Sequence, residues 1–464
     1  MPLSIDSPGN KFRNQLLSDF NQGKELMSAV APAKPASITR DRNFWLIVIA
    51  ALYAALTWPV LLSGIVGPGG PAHDETNYHA VVMKQFLAQW PHPNIADYHS
   101  ALAPGYYLFL AGVAQIFGDD IRLFRFITGL FAIGSVLLMQ RFMTSEVAKP
   151  RNRFLITLPL LVLPITLRSG MWLVTDFPAF FFIVIAIIAT LKGFHDWRNA
   201  LVATLAVLTA IFCRQISAWV ILPIIISLWN LKGRNRIAYA WMGAITILPG
   251  LLLLWLYQKW GGLTPPDLQT RYQHPNLCAL TMTLSYLGIV TPFFIAANPE
   301  ILKRLAGNWH VLALCAGAGL LTSIAWATDY NFEEGRWGGP LWSLAQHLPV
   351  MTHRSILFPP LAALGAAGLF VLWRGVMIAR ANATLLVVAL LSMVIAQCTT
   401  HLAFERYYQP TIMLVCGWLF SWTLEPTESK SQIRPLPLIL LAAGFFALSL
   451  VSEYYTLFRM HPLD

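Results

Sequence analysis

The chain has 464 residues, is 56% hydrophobic and only 12% charged, and carries a formal net charge of +10. Soluble domains are about 25% charged, so this composition, with a mean hydropathy of +0.57, excludes a soluble globular class. The basic residues sit in short segments between apolar runs, the mark of insertion topology and anionic lipid, which argues against a nucleic-acid face.

At membrane depth the backbone must satisfy its own N–H and C=O groups, so the expected fold is all-α: a polytopic transmembrane helical bundle. Long open apolar runs lack the dyad alternation of an outer-membrane barrel. Residues 1–43 read as a polar, basic cytoplasmic tail holding Lys11, Arg13, Lys24, Lys34, Arg40 and Arg42. The tail is expected to be disordered apart from a short surface helix, and the first apolar run starts near Phe44 without a signal-peptide pattern. Residues 44–464 read as one transmembrane domain.

About thirteen spans of crossing length are predicted. They fall near 44–63, 122–143, 154–172, 177–192, 199–213, 216–230, 237–257, 279–297, 309–327, 355–373, 383–400, 410–424 and 435–455. With a cytoplasmic N-terminus, the basic runs Lys149 to Arg153, Lys232 to Arg236 and Lys303-Arg304 fall inside, as the positive-inside rule requires. Outer loops then cover 64–120, 258–276 and 328–354, while inner loops are short. Elaboration on one face places the work there. Two segments of the first outer loop read as interfacial helices. One, Tyr106 to Phe117, is too short to cross. In the other, Tyr78, Val81, Val82, Phe86, Leu87 and Trp90 share a face at helical spacing, expected to lie flat on the bilayer.

The first chemical candidate is Asp74-Glu75, directly after span one. A carboxylate pair beside lipid costs several kcal/mol without partners, so it is either kept at the water interface or used. As chemistry, one carboxylate accepts a proton from an attacking hydroxyl. As structure, Asp74 caps a helix start and Glu75 answers its dipole. His73, His79, His92 and His99 share this loop, but no HxxxH or HExxH spacing supports a metal site.

Arg214-Gln215 follow at an expected outer junction of two short spans. An arginine fork there binds a lipid phosphate in two-point fashion, or simply snorkels to water. Trp260-Gly261-Gly262 and Asp267 combine an aromatic and an acid suited to sugars, or form a plain turn. Glu333 to Gly339 reads the same way, more weakly. Glu405-Arg406-Tyr407-Tyr408 is either a second phosphate or sugar contact or an interfacial aromatic belt. Cys213, Cys278, Cys315, Cys398 and Cys416 are scattered and odd in number, so they read as free thiols.

The order of these parts resembles the GT-C class of polyprenyl-phosphate-sugar glycosyltransferases. That class has an acidic motif in the first outer loop, here Asp74-Glu75. An interfacial helix follows, here opened by Ala103-Pro104-Gly105-Tyr106-Tyr107, and then an arginine-led span, here with Arg122 and Arg125. Within the class the chain is most similar to the α-1,2-glucosyltransferase family that adds the last glucose to the dolichol-linked oligosaccharide. That likeness rests on His73-Asp74-Glu75, Phe212-Cys213-Arg214-Gln215-Ile216, Trp260-Gly261-Gly262 with Pro265-Pro266-Asp267, and Arg406-Tyr407. The chain departs from it in two places: Cys213 interrupts the arginine motif, and the lysine of a Gly-Asp-Lys motif is missing.

The resemblance implies an inverting hexosyltransferase that takes a hexose, glucose in the nearest family, from a polyprenyl or dolichyl phosphate donor. The acceptor would be a hydroxyl of a lipid-linked or cell-surface glycan. Asp74 would be the general base and Glu75 would orient it or the acceptor. Arg214 and Arg406 would hold the donor phosphate, and Gln215, Trp260, Asp267 and Tyr407 would contact sugar or acceptor. No cofactor, metal or nucleic acid is expected. The site would face the periplasm or the lumen, in a bacterial inner membrane or an endoplasmic-reticulum membrane. The rival reading is a transporter or flippase for lipid-linked saccharides, which calls for ionisable or broken spans near the midplane. A polytopic scaffold without catalysis is the third.

Overall fold

The structure, a computed structural model, describes residues 36–63, 70–143, 149–229, 236–271, 275–305, 307–376, 379–424 and 433–457. Residues 1–35 of the expected tail, and the Gly67-Pro68-Gly69 approach to the acid pair, lie outside them. The first helix, α1 (Ala36–Ser63), begins within the stretch read as tail.

Helix α2 (Pro71–Asp74) runs into a π-helical turn (Glu75–His79) and then α3 (Ala80–Ala88). Next come α4 (Gly105–Phe117), α5 (Ile121–Phe142), α6 (Pro150–Leu161), α7 (Pro164–Met171), α8 (Asp176–Lys192) and α9 (Trp197–Cys213). A 3₁₀ turn (Gln215–Val220) leads to α10 (Ile221–Trp229) and α11 (Arg236–Trp260). Beyond a second 3₁₀ turn (Pro266–Arg271) lie α12 (Cys278–Ala297), α13 (Glu300–Lys303), α14 (Trp309–Ala325) and α15 (Pro340–Ala345). A small antiparallel hairpin, β1 (Val350–Met351) with β2 (Arg354–Ser355), pairs Val350 with Ser355 and Met351 with Arg354. The chain closes with α16 (Phe358–Gly375), α17 (Arg380–Cys398), a 3₁₀ turn (Glu405–Tyr407), α18 (Gln409–Ser421) and α19 (Pro435–Leu457).

Among the described residues, seven helices are long and apolar enough to cross a bilayer, which makes this an integral membrane protein; α6 and α7 together would be an eighth. That pair is bent by 66°. Pro164 opens α7, and a proline there cannot donate the hydrogen bond that would continue α6. The remaining expected spans coincide with shorter helices: α8, α9, the 3₁₀ turn with α10, α14 and α18.

With no hydrophobic force between helices in lipid, close contact rests on small residues. The α12–α16 pair shows this. A Cβ added at Gly288 would strike the Leu361 carbonyl, and one at Gly365 the Leu284 carbonyl. Trp172, Trp342 and Trp418 fill the interior of the bundle.

Both short helices of the first loop are present, but their apolar faces differ from the expected stripe. Val82 and Phe86 are buried in a cluster with Tyr98, Tyr107 and Trp260, whereas Val81 and Trp90 are exposed. The π-helical turn adds a residue and shifts the helical phase between Tyr78 and α3. The buried side of α3 therefore packs on α4 and its neighbours, and the α4 residues Phe109, Ile116 and Phe117 remain outside.

Candidate active site

The chemistry-bearing residues gather at one end of the bundle, where α5, α8, α10 and α18 begin and α7, α9 and α17 end. Asp74 closes α2, and its Oδ2 accepts from Arg406 Nη1 at 2.5 Å. These residues are 332 positions apart, and each side chain is about one-fifth exposed. Arg214 makes a second ion pair with Asp176, the first residue of α8, and both are nearly buried. The Tyr407 ring joins the two pairs: the guanidinium of Arg214 lies 4.8 Å from its centroid and that of Arg406 lies 5.4 Å away. Both distances are within cation–π range.

Two guanidiniums and two carboxylates thus share one polar patch. Arg214, Arg406, Asp176 and Tyr407 line a cleft whose walls also include Phe180, Ile183 and Met393. The gradient follows from chain direction. Helix α8 leads from Asp176 to Phe180 and Ile183, and α17 reaches Gln397 one turn after Met393. One end of the cleft is charged and the other is apolar.

Glu75 plays a different part from its neighbour. It is buried, and Arg125 holds it through Nη2 at 2.5 Å and Nε at 3.0 Å. The backbone N–H of Leu173, in the bend after α7, donates to the same carboxylate at 2.7 Å. Arg125 also lies 4.4 Å from the Trp172 ring centroid. Glu75 therefore fastens the first loop to α5 and to the α7–α8 junction.

The π-helical turn separates the two acids' roles. Residues five apart share a face in such a turn, and so His73 meets Tyr78, with ring centroids 6.0 Å apart. By the same spacing His79 falls below Asp74. Its Nδ1 hydrogen-bonds the Tyr107 hydroxyl at 2.6 Å, and that hydroxyl meets Ser100 Oγ at 2.8 Å. Burial pushes the His79 imidazole down to about 4, against the opposing pull of Asp74 and Asp176, so it is neutral near pH 7.

The other candidates lie apart from the cleft lining. Gln215 ties loops together: its Nε2 donates to Ala101 O at 2.7 Å and Leu263 O at 3.0 Å, and its Oε1 accepts from Ala103 N at 3.0 Å. Trp260 is buried and its indole N–H donates to Ile95 O at 2.9 Å, so its ring is packed rather than presented. Asp267 is exposed, 3.9 Å from His99 Nδ1. Glu405 is buried and accepts from Trp342 N at 2.8 Å and from the Tyr286 hydroxyl at 3.0 Å. Among the described residues, no three His, Cys, Asp or Glu side chains converge as a metal site.

Sequence reading did not single out Asp176, because an acid opening an apolar helix looks like an ordinary dipole partner. Gln397 was missed too, since one glutamine at a span end carries no pattern. Arg125 was noted only as part of a motif.

No protein-family model matches the chain, and no curated protein does. Among solved structures it is similar to ArnT from Cupriavidus metallidurans bound to undecaprenyl phosphate, with 12% identity and a TM-score of 0.37. That match covers 81% of this chain and 77% of the other. It is also similar to the oligosaccharyltransferase of Archaeoglobus fulgidus in the apo form, with 12% identity and a TM-score of 0.38, covering 81% of this chain and 56% of that one.

Proposed function

We propose that this protein is a GT-C-type membrane glycosyltransferase that transfers a hexose, glucose by its motif resemblance, from a polyprenyl phosphate donor to a hydroxyl of a lipid-linked or cell-surface glycan. One observation carries the reading: Asp74 is held by an arginine that itself lines a cleft charged at one end and apolar at the other. Such a cleft suits a ligand with an anionic head and a hydrocarbon tail.

Asp74 is the general base in this proposal. It takes the proton of the acceptor hydroxyl as that oxygen attacks the anomeric carbon, and the bond from that carbon to the phosphate oxygen breaks with inversion. The donor phosphodiester carries one negative charge, and the departing phosphate gains another. Arg214 and Arg406 answer charge that grows along the reaction, so they stabilise the transition state more than the bound donor. The same two residues fill the role a metal would otherwise have, and we place no metal in the scheme. Donor phosphate competes with Asp74 for Arg406, which frees the carboxylate once donor is bound. Glu75 acts through Arg125 to hold Asp74 in place. Asp267 and the Tyr407 hydroxyl edge are the sugar or acceptor contacts, and the site faces the periplasm or lumen.

The test is transfer of labelled hexose from polyprenyl phosphate hexose by the purified protein. Asp74→Asn should lower kcat by about 10²–10⁴ with donor KM little changed, and chelators should leave the rate unaltered. Full activity in that variant removes Asp74 as base. Net movement of the intact lipid-linked sugar between leaflets, without transfer, would favour the transporter.

A further inference from the structure

Besides its two arginines, the cleft holds a polar side chain with an unmet hydrogen bond. Gln397, in the last turn of α17, is 5% exposed and lines the cleft. Its Oε1 is enclosed and has no hydrogen-bond partner. In the same lining, Arg406 Nε is likewise enclosed and without a partner, although Nη1 of the same guanidinium holds Asp74. Leaving such groups unmet costs on the order of 1–3 kcal/mol each, so native proteins keep few of them.

The two groups ask for different chemistry. Arg406 Nε–H donates only, and an ionised phosphate oxygen satisfies it. A carboxamide oxygen accepts only, and a fully ionised phosphate has no hydrogen to give it. A ligand that satisfies both groups brings an anionic oxygen to Arg406 and a hydroxyl or N–H to Gln397. Bare polyprenyl phosphate meets the first demand. A phosphate-linked sugar meets both. Gln397 stands one turn beyond the apolar Met393 on α17, so it belongs to the headgroup end and not to the tail channel.

We infer that Gln397 is the donor-sugar specificity residue: its carboxamide accepts a hydrogen bond from a hydroxyl of the phosphate-linked hexose. This rests on the donor reading above. It goes further in assigning sugar discrimination to α17 and phosphate binding to Arg214 and Arg406. A site built around a hydroxyl rejects the analogue lacking it, because the buried acceptor is left unpaired.

The experiment compares binding of polyprenyl phosphate and polyprenyl phosphate hexose to the detergent-solubilised protein. Gln397→Leu should hold the bare phosphate lipid within about twofold, which also reports a folded cleft, and bind the hexose lipid at least about tenfold more weakly. Gln397→Met should do the same. In turnover, the loss should appear in donor KM. With the wild-type protein, one monodeoxy hexose donor should bind about tenfold more weakly than the parent, and that penalty should vanish in Gln397→Leu. Equal effects on both lipids, or no effect on either, overturn the assignment while leaving the donor reading standing. A set of monodeoxy donors that all bind like the parent overturns it as well. A wild-type protein that binds neither lipid overturns both readings.

Discussion

Adjacent acids, Asp74 and Glu75, have opposite fates because their partners differ. Arg406 holds a partly exposed Asp74, while Arg125 and the Leu173 N–H enclose Glu75. Removing one partner of a buried pair leaves an uncompensated charge, at a cost of about 3–5 kcal/mol. Arg125→Leu should therefore lower the thermal midpoint of the detergent-solubilised protein far more than Arg406→Leu, and an equal loss would refute the division of roles. Glu405, next to Arg406, is a third case. Burial pushes its carboxyl up to about 8 despite hydrogen bonds from Trp342 and Tyr286. A raised folded-state value means that the native protein binds the extra proton, so this stabilisation is complete below the unfolded value of 4.5 and is lost as pH rises towards 8. Burial of His79 acts the other way, costing stability as pH falls from 6.5 towards about 4. Above pH 6.5 only the Glu405 effect remains. Thermal unfolding should show wild-type stability falling between pH 6.5 and 8, with a flatter profile in Glu405→Gln. Matching slopes would count against a protonated Glu405.

At the level of elements, the π-helical turn is the device that positions the proposed base. It lies between a proline-opened helical turn and α3, and it sets Asp74 against Arg406 while Glu75 turns inward. Thr76 is exposed and bonds only the Ala72 carbonyl among the described contacts. Deleting Thr76 should convert the turn to α-helix and rotate Asp74 by about 100° relative to α3. The expected result is loss of sugar transfer with the unfolding midpoint largely retained; normal transfer would show that the turn has no role in positioning. The far end of α7 has a similar effect. There the backbone turns extended at Trp172, which leaves the Leu173 N–H for Glu75 to take up.

Across the whole molecule, glycines set the spacing of close-packed helices. Gly288 and Gly365 let α12 and α16 touch backbone to backbone. Gly365→Leu should drive them apart and cost about 1–3 kcal/mol or more, read as a lower unfolding midpoint. Gly444→Ala, with open space around the added methyl, should leave the midpoint unchanged or slightly raised; equal behaviour of the two variants would deny the close packing. The helical class and the paired short helices of the first loop were legible in the chain, and Asp74, Arg214 and Arg406 could be singled out as candidates, because apolar period and isolated charge are local signals. The tertiary structure alone decided that Arg406 meets Asp74 from 332 positions away, that Asp176 pairs with Arg214, that Trp260 is packed inside and that Gln397 faces the cleft. Such pairings arise where loop ends from separate helices converge. Their free energy comes from desolvation and geometry at that meeting point, and no window of sequence contains both partners.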